Sequence, residues 1–204
     1  MTRSLTRRAF LAATTGTAVG LAGCLSAAPG SRQSAPSPDR SLFVGAFHWG
    51  FVVLTGDGTR HPSVTVSEGD VIQFVAFNME AETAISRLPQ VVRTHLPDHE
   101  ALEAANDADI PPPPNGTLAQ KRAEANAEYP DHSVALVPSG GMMSGGGMGR
   151  GGMLFHPLFL AHDATTPVEA TFETPVAEEY SLECLTYCGY GHPYMDLDDA
   201  LAVR

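Results

Sequence analysis

Near the C-terminus, two thiols, an imidazole and a thioether fall within one short stretch: Cys184, Cys188, His192 and Met195, spaced Cys-x3-Cys-x3-His-x2-Met. Thiolate and thioether are soft donors and imidazole a borderline one, a set that favours copper over hard cations. Gly189 and Gly191 lie among them and let the chain wrap tightly round a metal. Three other chemistries could use part of the set. A disulfide between Cys184 and Cys188 would leave His192 and Met195 without a task. A zinc site has poorer spacing here, and Met is a poor zinc ligand. A mononuclear blue-copper site needs one Cys with two His and a weak Met, which leaves Cys184 over.

The stretch from Glu179-Tyr180 to Met195 resembles the copper-binding loop of the CuA domain, found in subunit II of haem-copper oxidases and at the C-terminus of nitrous oxide reductase. The shared positions are Glu179, Tyr180, Cys184, Cys188, Gly189, His192 and Met195. The resemblance implies two coppers bridged by both thiolates, each copper also holding one His. One copper would take the Met195 sulfur and the other a backbone carbonyl, that of Thr186, where the family usually has Glu. It also implies a second His upstream. The segment Tyr129-Pro130-Asp131-His132-Ser133, followed by Val137-Pro138-Ser139, is similar to the family's His-Ser and Pro-Ser pattern and nominates His132. His156 and His162 are the rivals. Gly45-Ala46-Phe47-His48-Trp49-Gly50-Phe51 and Glu68-Gly69-Asp70-Val71-Ile72-Gln73-Phe74 are similar to the opening strand and a Gly-Asp turn of the same domain. Residues 79–130 and 140–153 have no counterpart.

Ligands so widely separated in sequence need a rigid frame. Residues 41–54, 63–67, 71–77, 133–137, 154–160, 168–172 and 179–184 are rich in Val, Ile, Leu and Phe and punctuated by turn residues, so they read as strands. Ala- and Glu-rich residues 96–107 and 117–129 read as two short helices broken by Pro111 to Pro114. The expected fold is all-β, a cupredoxin-like Greek-key β-sandwich or barrel over residues 41–204 with a helical insertion at 79–130. Residues 140–153 are a Gly/Met-rich tract containing Met142, Met143 and Met148, with Met153 at its end. Such a tract is either a plain flexible loop or a set of soft donors for Cu(I).

Trp49 reads as core, while the resemblance to the CuA domain implies, as an alternative, a route for electrons into the site. His48 beside it alternates to the other face and reads as a surface or hydrogen-bonded histidine. His61, His95 and His99 read as exposed, and the acidic run 196–199 as a solvated turn before the last strand.

The chain has 204 residues, with 23 Asp and Glu against 12 Lys and Arg, a net charge of −11. That balance argues against nucleic acid as a partner, because phosphate binding needs a basic stripe. Lys121 is the single lysine, and an acidic, lysine-poor composition fits a high-salt (halophilic) habitat. Residues 1–23 read as a targeting segment. Arg7 and Arg8 within Ser4-Leu5-Thr6-Arg7-Arg8-Ala9-Phe10-Leu11 resemble a twin-arginine export signal, and Leu21-Ala22-Gly23-Cys24 resembles a lipobox. Cys24 would then carry lipid, residues 24–40 would be a flexible tether, and the protein would sit at the outer face of the cytoplasmic membrane. Removal of residues 1–23 takes away three arginines and no acid, leaving nine basic residues and a charge of −14.

The resulting expectation is a lipid-anchored copper protein of the respiratory chain, resembling cytochrome c oxidase subunit II. It would relay electrons through a dinuclear copper centre from a cytochrome c or small blue-copper protein to a membrane haem-copper oxidase or nitric oxide reductase. With all six donors engaged, the site would have no open position for substrate, so catalysis would belong to the partner. The alternative is an exported Cu(I) carrier or sensor that uses the Cys loop and the Met-rich tract.

Overall fold

The computed structural model describes residues 37–139 and 152–204. Arg7, Arg8, Cys24, most of the tether, and Met142, Met143 and Met148 lie outside the described residues. Among the described residues, no helix is long and apolar enough to cross a membrane.

Ten strands build the frame. In chain order they are β1 (Arg40–Phe47), β2 (Gly50–Thr55), β3 (Arg60–His61), β4 (Val64–Val66), β5 (Val71–Asn78), β6 (His132–Pro138), β7 (Leu158–Leu160), β8 (Val168–Glu173), β9 (Glu179–Glu183) and β10 (Asp196–Val203). They form two five-stranded sheets, ordered β3-β2-β1-β5-β8 and β4-β10-β9-β6-β7. The β1–β5 and β4–β10 pairs are parallel and the others antiparallel. The chain passes repeatedly from one sheet to the other. This is the all-β sandwich with a helical insertion expected from the strand pattern.

The expected strand over 41–54 is instead a hairpin. Phe47 pairs with Gly50, and His48 and Trp49 form the turn, both buried. Aromatic turn residues give no turn signal, so the run reads as continuous. Of residues 154–160 only the last three form a strand, while Leu154 and Phe155 pack against the core as irregular chain. The acidic run 196–199 is not a turn before the last strand but its first half. The pairing of β10 with β9 shifts register between Leu197 and Leu201, and Asp199 sits at φ +50. That irregularity lets Asp198 and Asp199 face solvent within the strand.

Four helices fill the span between β5 and β6: α1 (Glu82–Ile85), α2 (Gln90–His95), α3 (His99–Asn106) and α4 (Leu118–Glu128). The first two are too short to show a helical period, which hides them in the sequence. Asp98 caps α3, accepting from the Ala101 N–H at 2.9 Å. Thr117 and Gln120 cap α4 reciprocally, at 3.2 and 2.9 Å.

Alternation along β1 shows what the insertion does. Leu42, Val44 and Ala46 point between the two sheets, into a core shared with Ile72, Phe74, Val134, Leu136, Leu182 and Leu201. Phe43 and Phe47 point the other way, and with Val52, Leu54, Val75 and Phe77 they pack under Leu88, Val92 and Leu102 of the insertion. Exposing such side chains costs roughly 1.5–3 kcal/mol each. The insertion is therefore the outer wall of the first sheet, which is why β1 is buried on both faces.

Candidate metal centre

Strands β6 and β9 are antiparallel neighbours, with Ala135 opposite Glu183. That register brings His132, the first residue of β6, beside Cys184, the residue after β9. The chain then loops through Cys188, forms a 3-10 turn at His192–Tyr194, and returns through Met195 into β10. The Cys184 N–H donates to the Met195 carbonyl at 3.2 Å and closes the loop at its base.

All six donors expected from the sequence meet around this loop. A ring nitrogen of His132 and the sulfurs of Cys184 and Cys188 lie within 4.8 Å of one another. Cys188 Sγ is 3.6 Å from His192 Nδ1 and 3.5 Å from Met195 Sδ. Cys184 Sγ lies 3.2 Å from the Thr186 carbonyl oxygen. His132 and Cys188 are wholly buried, and Met195 and Cys184 nearly so; His192 is half-buried. Both ring nitrogens of His132 lack a hydrogen-bond partner among the described residues. A buried imidazole in that state is costly unless something else takes its lone pair. The rivals lie elsewhere: His156 and His162 are exposed, and His162 Nδ1 pairs with Asp131 at 2.8 Å.

The electrostatics of the two thiols favour a cation. A hydrogen bond from Cys188 pulls the Cys184 thiol well below its usual value against the opposing effect of burial, aided by His132 and the Ser133 N–H. The same hydrogen bond, and burial, push Cys188 far up. The pair thus holds one negative charge readily and a second only if positive charge arrives between the sulfurs.

Other groups fix the loop. Ser133 Oγ accepts from the Leu185 N–H at 2.9 Å, and the Ser133 N–H approaches Cys184 Sγ at 3.5 Å. The Trp49 indole N–H donates to the Cys188 carbonyl at 2.8 Å. Gly191 lies flat on the indole: a Cβ there would stand 2.0 Å from the ring. Gly189 adopts φ +97, and a Cβ there would meet that of Ala125 on α4 at 2.6 Å. Trp49 is wholly buried, so its ring touches the ligand loop and not the surface. Leu185, Tyr187 and Tyr194 are the exposed apolar side chains of the loop.

His48 is not at the surface but fits the alternative reading of a hydrogen-bonded histidine, its Nε2 donating to the Tyr129 carbonyl at 3.2 Å. It is buried, with its ring centroid 4.5 Å from that of His132. Burial, with the His132 imidazole alongside, lowers its pKa to about 4. Nothing in its sequence surroundings marks it. Of the histidines read as exposed, His95 is exposed, and His61 and His99 are half-buried. Met153 is exposed at the edge of the described residues.

No family model matches the sequence, and no curated protein matches it. Among solved structures, the chain is similar to the periplasmic domain of subunit II of cytochrome oxidase (CoxB) of Bradyrhizobium japonicum. The TM-score is 0.41 at 8% identity, over 83% of this chain and 86% of that one. It is also similar to the mixed disulfide intermediate between the thioredoxin-like protein TlpAs and subunit II of cytochrome c oxidase, CoxBPD. There the TM-score is 0.39 at 9% identity, over 85% and 87% of the two chains. Both likenesses are distant and say nothing about what this chain binds.

Proposed function

We propose that the chain is a copper-binding electron-transfer protein, with a dinuclear centre held by Cys184, Cys188, His132, His192, Met195 and the Thr186 carbonyl. The observation that carries this reading is the meeting of His132, from a distant strand, with both thiols at one buried point. Thiolate, thioether and imidazole together are a copper set. Two coppers held by these residues would share one electron between them, so that their bonds would change little on electron gain or loss.

The protein's part is to hold the donors still and dry. Register between β6 and β9 sets the distance from His132 to Cys184. Ser133 and the Trp49 indole fix the loop backbone on either side of the cysteines. Burial of Cys188 and Met195 excludes water. That burial also favours a closed relay over the Cu(I) carrier, which would have to present its sulfurs to a partner. Of the side-chain donors only His192 is half-buried, and the exposed Leu185, Tyr187 and Tyr194 supply apolar contact area around the loop. A cytochrome c or small blue-copper protein as donor, and a membrane haem-copper oxidase or nitric oxide reductase as acceptor, fit this role. So does export with a lipid on Cys24. The charge of −11 on the whole chain asks of a partner either a basic face or a contact insensitive to salt.

The test is copper counting with visible and paramagnetic-resonance spectra on the purified chain reconstituted under reducing conditions. Two coppers per chain and a mixed-valence signal are expected. His132→Ala should abolish that signal. No retained copper, or one colourless Cu(I), would refute the reading; loss of the signal in His156→Ala but not in His132→Ala would refute the ligand set.

A further inference from the structure

A second cluster of donors lies behind His132, where the β1–β2 turn meets the insertion. His48 Nδ1 and carboxylate oxygens of Glu80 and Glu103 all lie within 4.8 Å of one another. His48 comes from the turn, Glu80 from the chain just after β5, and Glu103 from α3, so no sequence spacing announces the group. His48 and Glu103 are 1% and 4% exposed.

Two buried polar atoms of these residues lack hydrogen-bond partners among the described residues: His48 Nδ1 and Glu103 Oε1. The other ring nitrogen of His48 is accounted for, since Nε2 donates to the Tyr129 carbonyl at 3.2 Å. That bond puts the proton on Nε2 and leaves a bare lone pair on Nδ1, 3.9 Å from Glu80 Oε1. A lone pair facing carboxylate oxygens is repulsive unless a proton or a metal cation stands between them. An imidazole anchored through its far N–H to a backbone carbonyl is also how proteins orient a metal-ligating histidine.

The nearby cation does not fill this need. Arg122 Nε reaches the other oxygen of Glu103, Oε2, at 3.5 Å, while its NH2 group is taken by Asp107. One guanidinium thus serves two carboxylates, those of Glu103 and Asp107. Glu103 is left with Oε2 3.5 Å from Arg122 Nε and Oε1 buried without a hydrogen-bond partner among the described residues.

We propose that His48, Glu80 and Glu103 form a second metal site, for a single divalent first-row cation of the zinc class. One imidazole with two carboxylates suits a borderline metal better than calcium or magnesium, which take mostly oxygen ligands. Glu80 is a quarter exposed, which gives the cation a way in and leaves room for water as a fourth ligand. Bound there, the cation would tie α3 and the β5 end to the turn carrying His48, whose ring braces His132. The inference does not rest on the copper reading, because no ligand is shared.

The test uses zinc alone. A Cys184→Ser/Cys188→Ser chain, dialysed against Zn2+ and counted by mass spectrometry of metals, should retain one zinc. Adding Glu80→Gln or Glu103→Gln to it should weaken zinc binding by about 100-fold or more. In the parent chain, whose thiols also take zinc, the same glutamate variants should retain one zinc fewer. The second comparison stands even if the double-serine chain fails to fold. A folded double-serine chain that retains no zinc, or glutamate variants that retain as much as their parents, would overturn the proposal.

Discussion

Gly191→Ala isolates what holds the ligand loop in place. Gly191 has φ −81 and ψ 1, a backbone conformation open to alanine, so the substitution adds no dihedral strain. Its effect must come from contact. A Cβ at this position would stand 2.0, 2.3 and 2.4 Å from three atoms of the Trp49 indole, where ordinary contacts begin near 3.4 Å. The indole cannot yield, being wholly buried and hydrogen-bonded to the Cys188 carbonyl at 2.8 Å. The loop must lift instead, and it carries His192 as the next residue. Overpacking of this kind costs ~1–3 kcal/mol, and a clash with three ring atoms places it at the upper end. The smaller freedom of alanine in the unfolded chain offsets ~0.4–1 kcal/mol. The net of about 2 kcal/mol should lower the melting temperature by ~4–8 °C for a chain of this size. Thermal melts of the metal-free chain give the number, and copper titration gives the functional consequence: weaker binding, because His192 moves. The cycle with Trp49→Ala tests the cause. In that background the obstacle is gone, so Gly191→Ala should cost nothing further. A melt within 1 °C of the parent, or the same cost with and without Trp49, would refute the reasoning.

Two further predictions probe the frame. Thr117→Ala removes one half of the reciprocal cap of α4, whose Ala125 packs on Gly189. It should cost about 1 kcal/mol and lower the melt by ~2–4 °C, whereas Thr117→Ser should restore most of it. Asp57 lies in the β2–β3 turn, where the Thr55 hydroxyl and the Thr59 N–H donate to it and lower its pKa from 3.8 to about 2. A lowered carboxyl contributes stability above its unfolded value and loses it as pH falls through the folded one. The turn should therefore stay closed at pH 4 and open between about 4 and 2, read by the Thr59 amide resonance. Movement of that resonance centred at pH 4 or above would refute the assignment.

The sequence determined whatever depends on neighbours along the chain. Cys184, Cys188, His192 and Met195 were legible because one loop carries all four and their donor types speak for themselves. The strands from β4 onward were mostly legible, because period-2 apolar runs between turn residues are a local signal. The Ala- and Glu-rich runs 96–107 and 117–129 likewise announce α3 and α4.

What the sequence could not determine depends on which surfaces meet. Three histidines are candidates for the upstream position in the sequence, and the β6–β9 register brings His132, and neither exposed rival, to the thiols. The hairpin at His48 and Trp49 was hidden because its turn residues are aromatic, and they are buried only once the insertion and the ligand loop close over them. Glu80 and Glu103 look like solvated acids in the sequence. They become a cluster with His48 because packing of α3 on the outer face of the first sheet buries Glu103 beside the β1–β2 turn and the chain that carries Glu80. Local residue type fixes what a side chain can do chemically; the partners it does it with are set by sheet register and helix packing, which join residues far apart in the chain.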